Sequence, residues 1–337
     1  MPSGIEVRPC QADYPSAGIL PRLRNVLHAA RQKADLHHIV GDSHYLAFGL
    51  PREKTVLTIH DCAALDRLTG WKRAILKYFW FTGPMRRAAV VTTISQATKD
   101  ELRKWVGPLA DKVVVVPDCV GEEFTYDPKP FNEECPVVLQ VGTKWNKNVE
   151  RVVEALKGTG CRLEIVGTIS SDGLRDHGTT GRRDQELKGR RDEGTTGQVD
   201  IRPASLELET SIAAGLAVRE LGRLTDAELV EAYRRCDMVV FASLYEGFGL
   251  PVLEAQATGR PVITSSISAM PEAAGDGALL VDPYSVESIR EAVLRIKNEP
   301  ALREDLVRKG LENVERFRPA VIARRYAEVY RSLLASA

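Results

Sequence analysis

Apolar and polar positions along this chain alternate between short, largely apolar runs and stretches with helical spacing, the pattern of parallel strands joined by amphipathic crossovers. In the first part, Thr55–Ile59 (TVLTI), Ala89–Ile94 (AVVTTI) and Lys112–Val116 (KVVVV) read as strands, with a helix over Gln96–Val106 between the last two. In the second part, Val137–Val141 (VVLQV) opens a new sheet, and Val149, Val152, Val153 and Leu156 follow at helical spacing. Arg162–Gly167, Met238–Ser243, Pro261–Thr264 and Ala278–Asp282 continue that sheet, and Ile322, Tyr326 and Tyr330 mark a last helix. The predicted fold class is α/β with two sheet layers.

Asp127–Pro136 (DPKPFNEECP), rich in proline and charge, reads as an interdomain linker. The expected divisions are residues 1–128, 136–315 and a terminal helix over 316–337. One segment breaks the pattern: RDHGTTG from Arg175 recurs as RDEGTTG from Arg191, and the residues between are almost wholly charged or glycine. Too little apolar area is available there to offset the entropy of ordering, so about 170–198 reads as a flexible insertion.

At 337 residues the chain exceeds what one hydrophobic core usually supports, which fits two domains. Lys and Arg number 46 and Asp and Glu number 46, so no nucleic-acid partner is expected. The six cysteines are scattered without metal-ligand spacing, as in a reduced, cytoplasmic enzyme. No apolar run reaches the roughly 18 residues of a bilayer span, and the start lacks the basic-then-apolar pattern of a signal peptide.

Candidate chemistry concentrates in Tyr245–Thr264, YEGFGLPVLEAQATGRPVIT. Gly247 and Gly249 permit a sharp turn after the Met238–Ser243 strand, Pro251 suits a first helical turn, and Gly259 ends the helix. The backbone N–H groups of Phe248, Gly249 and Leu250 stand at the helix entrance, where the dipole favours a phosphate. Glu254, one turn inside, offers two acceptor oxygens to the hydroxyls of a ribose, and Glu246 reaches hydroxyls of a sugar beyond the phosphates. Two glutamates at this spacing arise by chance in many helices, so the surrounding string decides. With EGFGLP, then EA, then GRPVI, it resembles the E-x7-E signature of the retaining GT-B glycosyltransferases called glycosyl transferases group 1.

That resemblance implies a GT-B fold of two Rossmann-like domains facing a cleft. It also implies transfer of a sugar from a nucleotide-diphosphate donor to a glycan or lipid-linked acceptor, in cell-surface or exopolysaccharide synthesis, with no metal and no cofactor. VGTKWNKN, from Val141, resembles the family's phosphate loop: Lys147 matches the lysine on the diphosphate, and Lys144 stands in for an arginine, Thr143 occupying the position after the glycine. Gly247, Phe248, Gly249, Leu250 and Glu254 complete the implied donor-binding set. IHDC places His60 and Asp61 directly after a strand, as in the family's H-D segment, so His60 joins Glu246 as a catalytic candidate and Asp61 orients it or caps the next helix. Ser95 and Thr98 read as a helix cap.

Two features depart from the pattern. Cys119, in PDCV, replaces a turn glycine, and nothing before Ile5 reads as the family's initial strand and Gly-rich loop. The second departure sustains a rival reading, a nucleotide-binding GT-B remnant with little or no transferase activity. D-x-D, Walker A and G-x-G-x-x-G motifs do not occur, which disfavours metal-dependent single-domain transferases, kinases and dehydrogenases. Last, the basic and aromatic segment GWKRAILKYFWFTGPMRRAAVV, from Gly70, admits two readings: a helix with a buried aromatic face, or peripheral contact with the inner face of an anionic membrane.

Overall fold

The computed structural model describes residues 4–169 and 215–335; the expected insertion at about 170–198 lies outside them. The chain forms two compact units, one made of Met1–Cys119 with Arg316–Ala337 and the other of Val120–Glu315. Elements below are numbered over the described residues.

The first unit is built on a parallel sheet of β1 (His37–Ile39), β2 (Thr55–Ile59), β3 (Val90–Thr93) and β4 (Val114–Val115), ordered as in the chain. Every residue of β2 is buried, as expected of a strand covered on both faces. Leu57, Ile59, Leu65, Phe81, Met85 and Leu102 form its core. Helix α1 (Ile19–Arg31) precedes β1, and the crossover from β2 to β3 runs through α2 (Ala63–Arg67), α3 (Gly70–Leu76), a π-helical stretch (Lys77–Thr82) and α4 (Gly83–Arg87). Helix α5 (Gln96–Val106) has the predicted bounds, with Ser95 Oγ accepting from the Thr98 N–H at its N-terminus. β4 is shorter than the sequence suggests: Gly107–Lys112 winds into a 3-10 turn, and the Val113 N–H bonds back to the Ala110 carbonyl to close it.

The second unit carries a six-stranded parallel sheet: β5 (Val137–Val141), β6 (Arg162–Val166), β7 (Val218–Gly222), β8 (Met238–Phe241), β9 (Val262–Ser265) and β10 (Ala278–Val281). Across the sheet they run β10-β9-β8-β5-β6-β7. Chain order reverses direction between β5 and β8, and a crevice therefore opens beyond the carboxyl ends of those two strands. Leu139, Leu163 and Ile165 are fully buried, each worth about 1.5–3 kcal/mol relative to exposure. Helix α6 (Val149–Leu156) buries the four predicted apolar positions in one cluster with Val138, Leu163 and Ile165. The sequence reading passed over β7 because an edge strand with exposed Arg219 and Glu220 lacks an apolar run. Then come α7 (Asp226–Arg235), α8 (Leu250–Ala257), α9 (Met270–Ala274), α10 (Val286–Asn298) and α11 (Pro300–Val314), while α12 (Pro319–Ala335) belongs to the first unit.

The boundary between the units falls at Cys119/Val120, ahead of the expected linker. Asp127–Pro136 is instead fastened to the second unit. Buried Asp237 accepts from the N–H groups of Asn132 and Val137 at 3.2 and 2.8 Å and pairs with Lys129 at 2.8 Å. Arg260, itself buried, donates to the Asp127 carbonyl at 2.7 Å. Proline and charge signal little apolar burial, yet polar side chains satisfied in the interior hold a segment as firmly. Among the described residues no helix is long and apolar enough to cross a membrane.

Candidate functional site

Two loops leave the sheet of the second unit where its strand order reverses: residues 142–148 after β5 and residues 242–249 after β8. They are tied together. Lys147 Nζ donates to Glu246 Oε1 at 2.7 Å and lies 4.5 Å from the Phe241 ring centre, while both members of the ion pair are 17% exposed. Asn146 Nδ2 donates to the same carboxylate oxygen at 3.0 Å and to the Tyr245 carbonyl at 2.9 Å. The Leu244 N–H returns a bond to the Asn146 carbonyl at 2.8 Å. Gly142 has φ +87°, and a Cβ there would come within 3.0 Å of Lys147 Cε, so the lysine reaches forward only over a glycine.

Two residues other than glycine have positive φ among those described, and both belong to this site. Asn148, at φ 58°, sends its Nδ2 to the carbonyls of Ala242 and Pro283 at 3.0 and 2.7 Å. Ser268, at φ 60° in the loop after β9, clamps Glu246 from behind: its Oγ accepts from the Glu246 N–H at 3.1 Å and donates to the Glu246 carbonyl at 2.8 Å. Left-handed backbone costs on the order of 1–3 kcal/mol at a residue with a side chain, and it persists where surrounding contacts fix it.

Gly249, with φ 128°, caps the N-terminus of α8, and Pro251 stands in the helix's first turn. Gly247 and Leu250 flank that turn, with Phe248 buried beside it. Glu254, one turn along α8, accepts from the Tyr233 hydroxyl at 2.7 Å. Burial pushes the Glu254 carboxyl above its ordinary range, against the Tyr233 hydrogen bond and the positive charge of Lys147; Glu123 and Asp226 add to the rise. Burial, then Glu254 itself, drives the Tyr233 phenol well above its usual value. Lys147 is thus paired with one glutamate of the motif and within electrostatic reach of the other. Lys144 sits exposed on the same loop.

The sequence reading had not singled out Asn146, Tyr233, Ser268 or Glu123. They act on the motif from other elements, and only Asn146, beside Lys147, had a motif near enough to draw attention to it.

His60 lies in the first unit, just past β2, where its carbonyl accepts from Thr98 Oγ1 at 3.4 Å. Burial raises the Asp118 carboxyl above its ordinary range, and the charge of His60 opposes that rise. Asp61 accepts from the Ala63 N–H at 2.9 Å, the helix-start role. Among the described residues no group of three or more His, Cys, Asp or Glu is disposed to hold a metal.

The family model described as glycosyl transferases group 1 matches residues 122–313, more than half of the chain, and the model described as glycosyltransferase family 4 matches residues 5–124. The chain belongs to the glycosyl transferases group 1 family. Among curated relatives, the O-antigen chain mannosyltransferase B of Escherichia coli is 37% identical over 100 residues, 30% of this chain and 26% of that protein. The serotype-specific mannosyltransferase WbdA of Escherichia coli is 27% identical over 291 residues, 84% of this chain and 34% of that protein. This group 1 chain therefore spans about a third or less of the length of the curated relatives it matches. Of solved structures, a sucrose-phosphate synthase from Thermosynechococcus elongatus superposes with a TM-score of 0.72 at 21% identity, covering 94% of this chain and 79% of that one. HepE from Anabaena, in complex with UDP and glucose, gives 0.70 at 16% identity, covering 93% and 81%. At such identities the likeness establishes the GT-B fold alone.

Proposed function

We propose that this chain moves a sugar from a nucleotide-diphosphate donor to a hydroxyl of a glycan or lipid-linked acceptor, with retention at the anomeric carbon, in the synthesis of a cell-surface polysaccharide. The observation that carries the reading is the convergence of Lys147 on Glu246 and, through its charge, on Glu254, at the reversal point of a parallel sheet. An ammonium has three N–H donors, so Lys147 holds Glu246 and a phosphate oxygen at once. Lys144 and the backbone of Gly247, Phe248, Gly249 and Leu250 at the start of α8 share the diphosphate. Glu254, with Oε2 held by Tyr233, turns its other oxygen to the ribose.

In the reaction the bond from the anomeric carbon to the phosphate oxygen breaks, and a bond to the acceptor oxygen forms on the same face. The departing phosphate oxygen takes the acceptor's proton. Negative charge grows on the leaving group, so the Lys147 ammonium and the helix dipole supply stabilisation that strengthens toward the transition state. Glu246 serves the sugar, and the family resemblance assigns His60 to the reacting sugar as well. Mannose is the first donor sugar to test, since the two Escherichia coli relatives are mannosyltransferases.

The test is a thermal-shift panel of GDP-, UDP- and ADP-sugars, followed by a transfer assay with the nucleotide that binds. A ligand at a hundred times its dissociation constant adds about 2.7 kcal/mol of stability. No shift with any nucleotide overturns the reading. Binding without transfer favours the remnant reading over an active transferase.

A further inference from the structure

The first unit carries apolar side chains outward on two stretches that hold basic residues and no acidic ones. Trp71, Ile75, Tyr78 and Phe79 recur at i, i+4, i+7 and i+8 along the helical segment formed by α3 and the π-helical stretch, and they are 70, 49, 50 and 46% exposed. Phe81 and Met85 pack inward instead. Of the two readings the sequence left for this segment, a buried aromatic face accounts for Phe81 and for Trp80, which packs against the core, and leaves Trp71 exposed together with Tyr78 and Phe79. Those rings are braced: Tyr78 and Phe79 meet edge to face at 5.2 Å, and Phe79 meets Phe48 at 6.0 Å. Braced rings lose little conformational freedom when covered.

Helix α1 carries a second exposed apolar row. Leu20, Leu23 and Leu27 follow at i, i+3 and i+7, each more than half exposed, while Asn25 is buried on the opposite face. The Arg22 guanidinium lies 4.5 Å from the Trp80 ring centre and joins α1 to the aromatic segment.

Charge indicates what covers this face. The chain as a whole is balanced, yet residues 19–31 hold three Arg and residues 70–88 hold five Lys or Arg, with no Asp or Glu in either stretch. Asp13 meets α1 at His28, where the two pair at 2.5 Å. A second copy would set cations against cations, which opposes self-association. Aromatic rings beside lysine and arginine, on a helix lying flat, match the depth profile of a bilayer interface.

We propose that α1 and the Gly70–Thr82 segment dock on the surface of an anionic phospholipid bilayer, with the rings at headgroup level and the cations on lipid phosphates. This surface is independent of the donor site, and its test reads lipid binding with no sugar transfer involved.

The full chain is sedimented with vesicles of phosphatidylcholine alone and of phosphatidylcholine mixed with phosphatidylglycerol. It binds the mixed vesicles, and salt releases it. Lys72→Gln and Lys77→Gln each weaken partitioning about five-fold, and a Trp71→Ser, Phe79→Ser variant loses binding at unchanged melting temperature. Arg162→Glu, an exposed change on the second unit, leaves partitioning as it was. Absent binding to mixed vesicles overturns the proposal, as does binding that ignores the Lys72, Lys77, Trp71 and Phe79 changes. A dimer in sedimentation velocity that dissolves on the Trp71→Ser, Phe79→Ser change overturns it in favour of a second copy.

Discussion

The hydroxyl of Tyr233 and the carboxylate of Glu254 are joined by a 2.7 Å hydrogen bond in the interior of the second unit, one on α7 and the other on α8. The carboxyl's pKa is raised by burial from an ordinary 4.5, so the folded state holds its proton more tightly than the unfolded chain does. Stability from this group is full below about pH 4.5 and is lost as pH rises through the folded value. Glu254→Gln, which keeps an acceptor for Tyr233, is expected to melt higher than wild type at neutral pH. That gap closes as the pH falls toward 4.5. Nucleotide affinity drops about ten-fold in the same variant, the worth of one hydrogen bond to a charged group. Calorimetry across pH and a nucleotide titration check the two halves.

The Lys147–Glu246 pair lends itself to a double-mutant cycle. Removing Lys147 alone leaves a carboxylate only 17% exposed with its main counter-charge gone. Lys147→Met should cost roughly 1–3 kcal/mol, less than a fully buried pair because some solvent screening remains. Lys147→Met, Glu246→Met together should recover much of that loss in urea denaturation while nucleotide binding stays impaired.

Ser268 separates strain from grip. Ser268→Ala loses the clamp on Glu246 and keeps the left-handed strain, a loss of about 1 kcal/mol. Ser268→Gly loses the same bonds and relieves the strain, so its stability stays near wild type. Turnover should fall in both, since Glu246 is unclamped either way. Equal melting temperatures for the two variants would count against strain at this position.

His38 makes the first unit sensitive to acid. Its ring nitrogens bond Tyr330 and Thr58, each at 2.7 Å, and burial, then the charge of His60, lowers its pKa from 6.5 to about 4. The folded state therefore resists protonation, and stability present above pH 6.5 is lost as pH falls toward 4, by at most about 3 kcal/mol. His38→Gln should flatten this slope in pH-dependent unfolding.

The sheet strands and the motif residues were legible because both leave local marks. TVLTI and VVLQV are largely apolar runs without charge, and EGFGLP joins turn, cap and ligand groups within a few positions. The partners of those residues left none. Tyr233 lies 21 positions from Glu254 and Ser268 lies 22 from Glu246, and each is an ordinary residue of its own element until the sheet brings the pair together. The mooring of Asp127–Pro136 was hidden for a similar reason, since the acceptor that secures it, Asp237, comes about a hundred residues later.

The return of α12 to the first unit bears on the order in which the protein forms during synthesis. Ribosomes deliver the first strands early, but the Tyr330 hydroxyl that bonds His38 is made 292 residues later. The second unit, a continuous stretch from Val120 to Glu315, has all its residues in hand before then. Of the two units, the one that starts earlier in the chain is thus completed later. Until α12 emerges, the polar row of His38, Thr58 and Thr92 lacks the tyrosines that meet it, and a chaperone that binds nascent chains would find its longer-lived target in the first unit rather than the second.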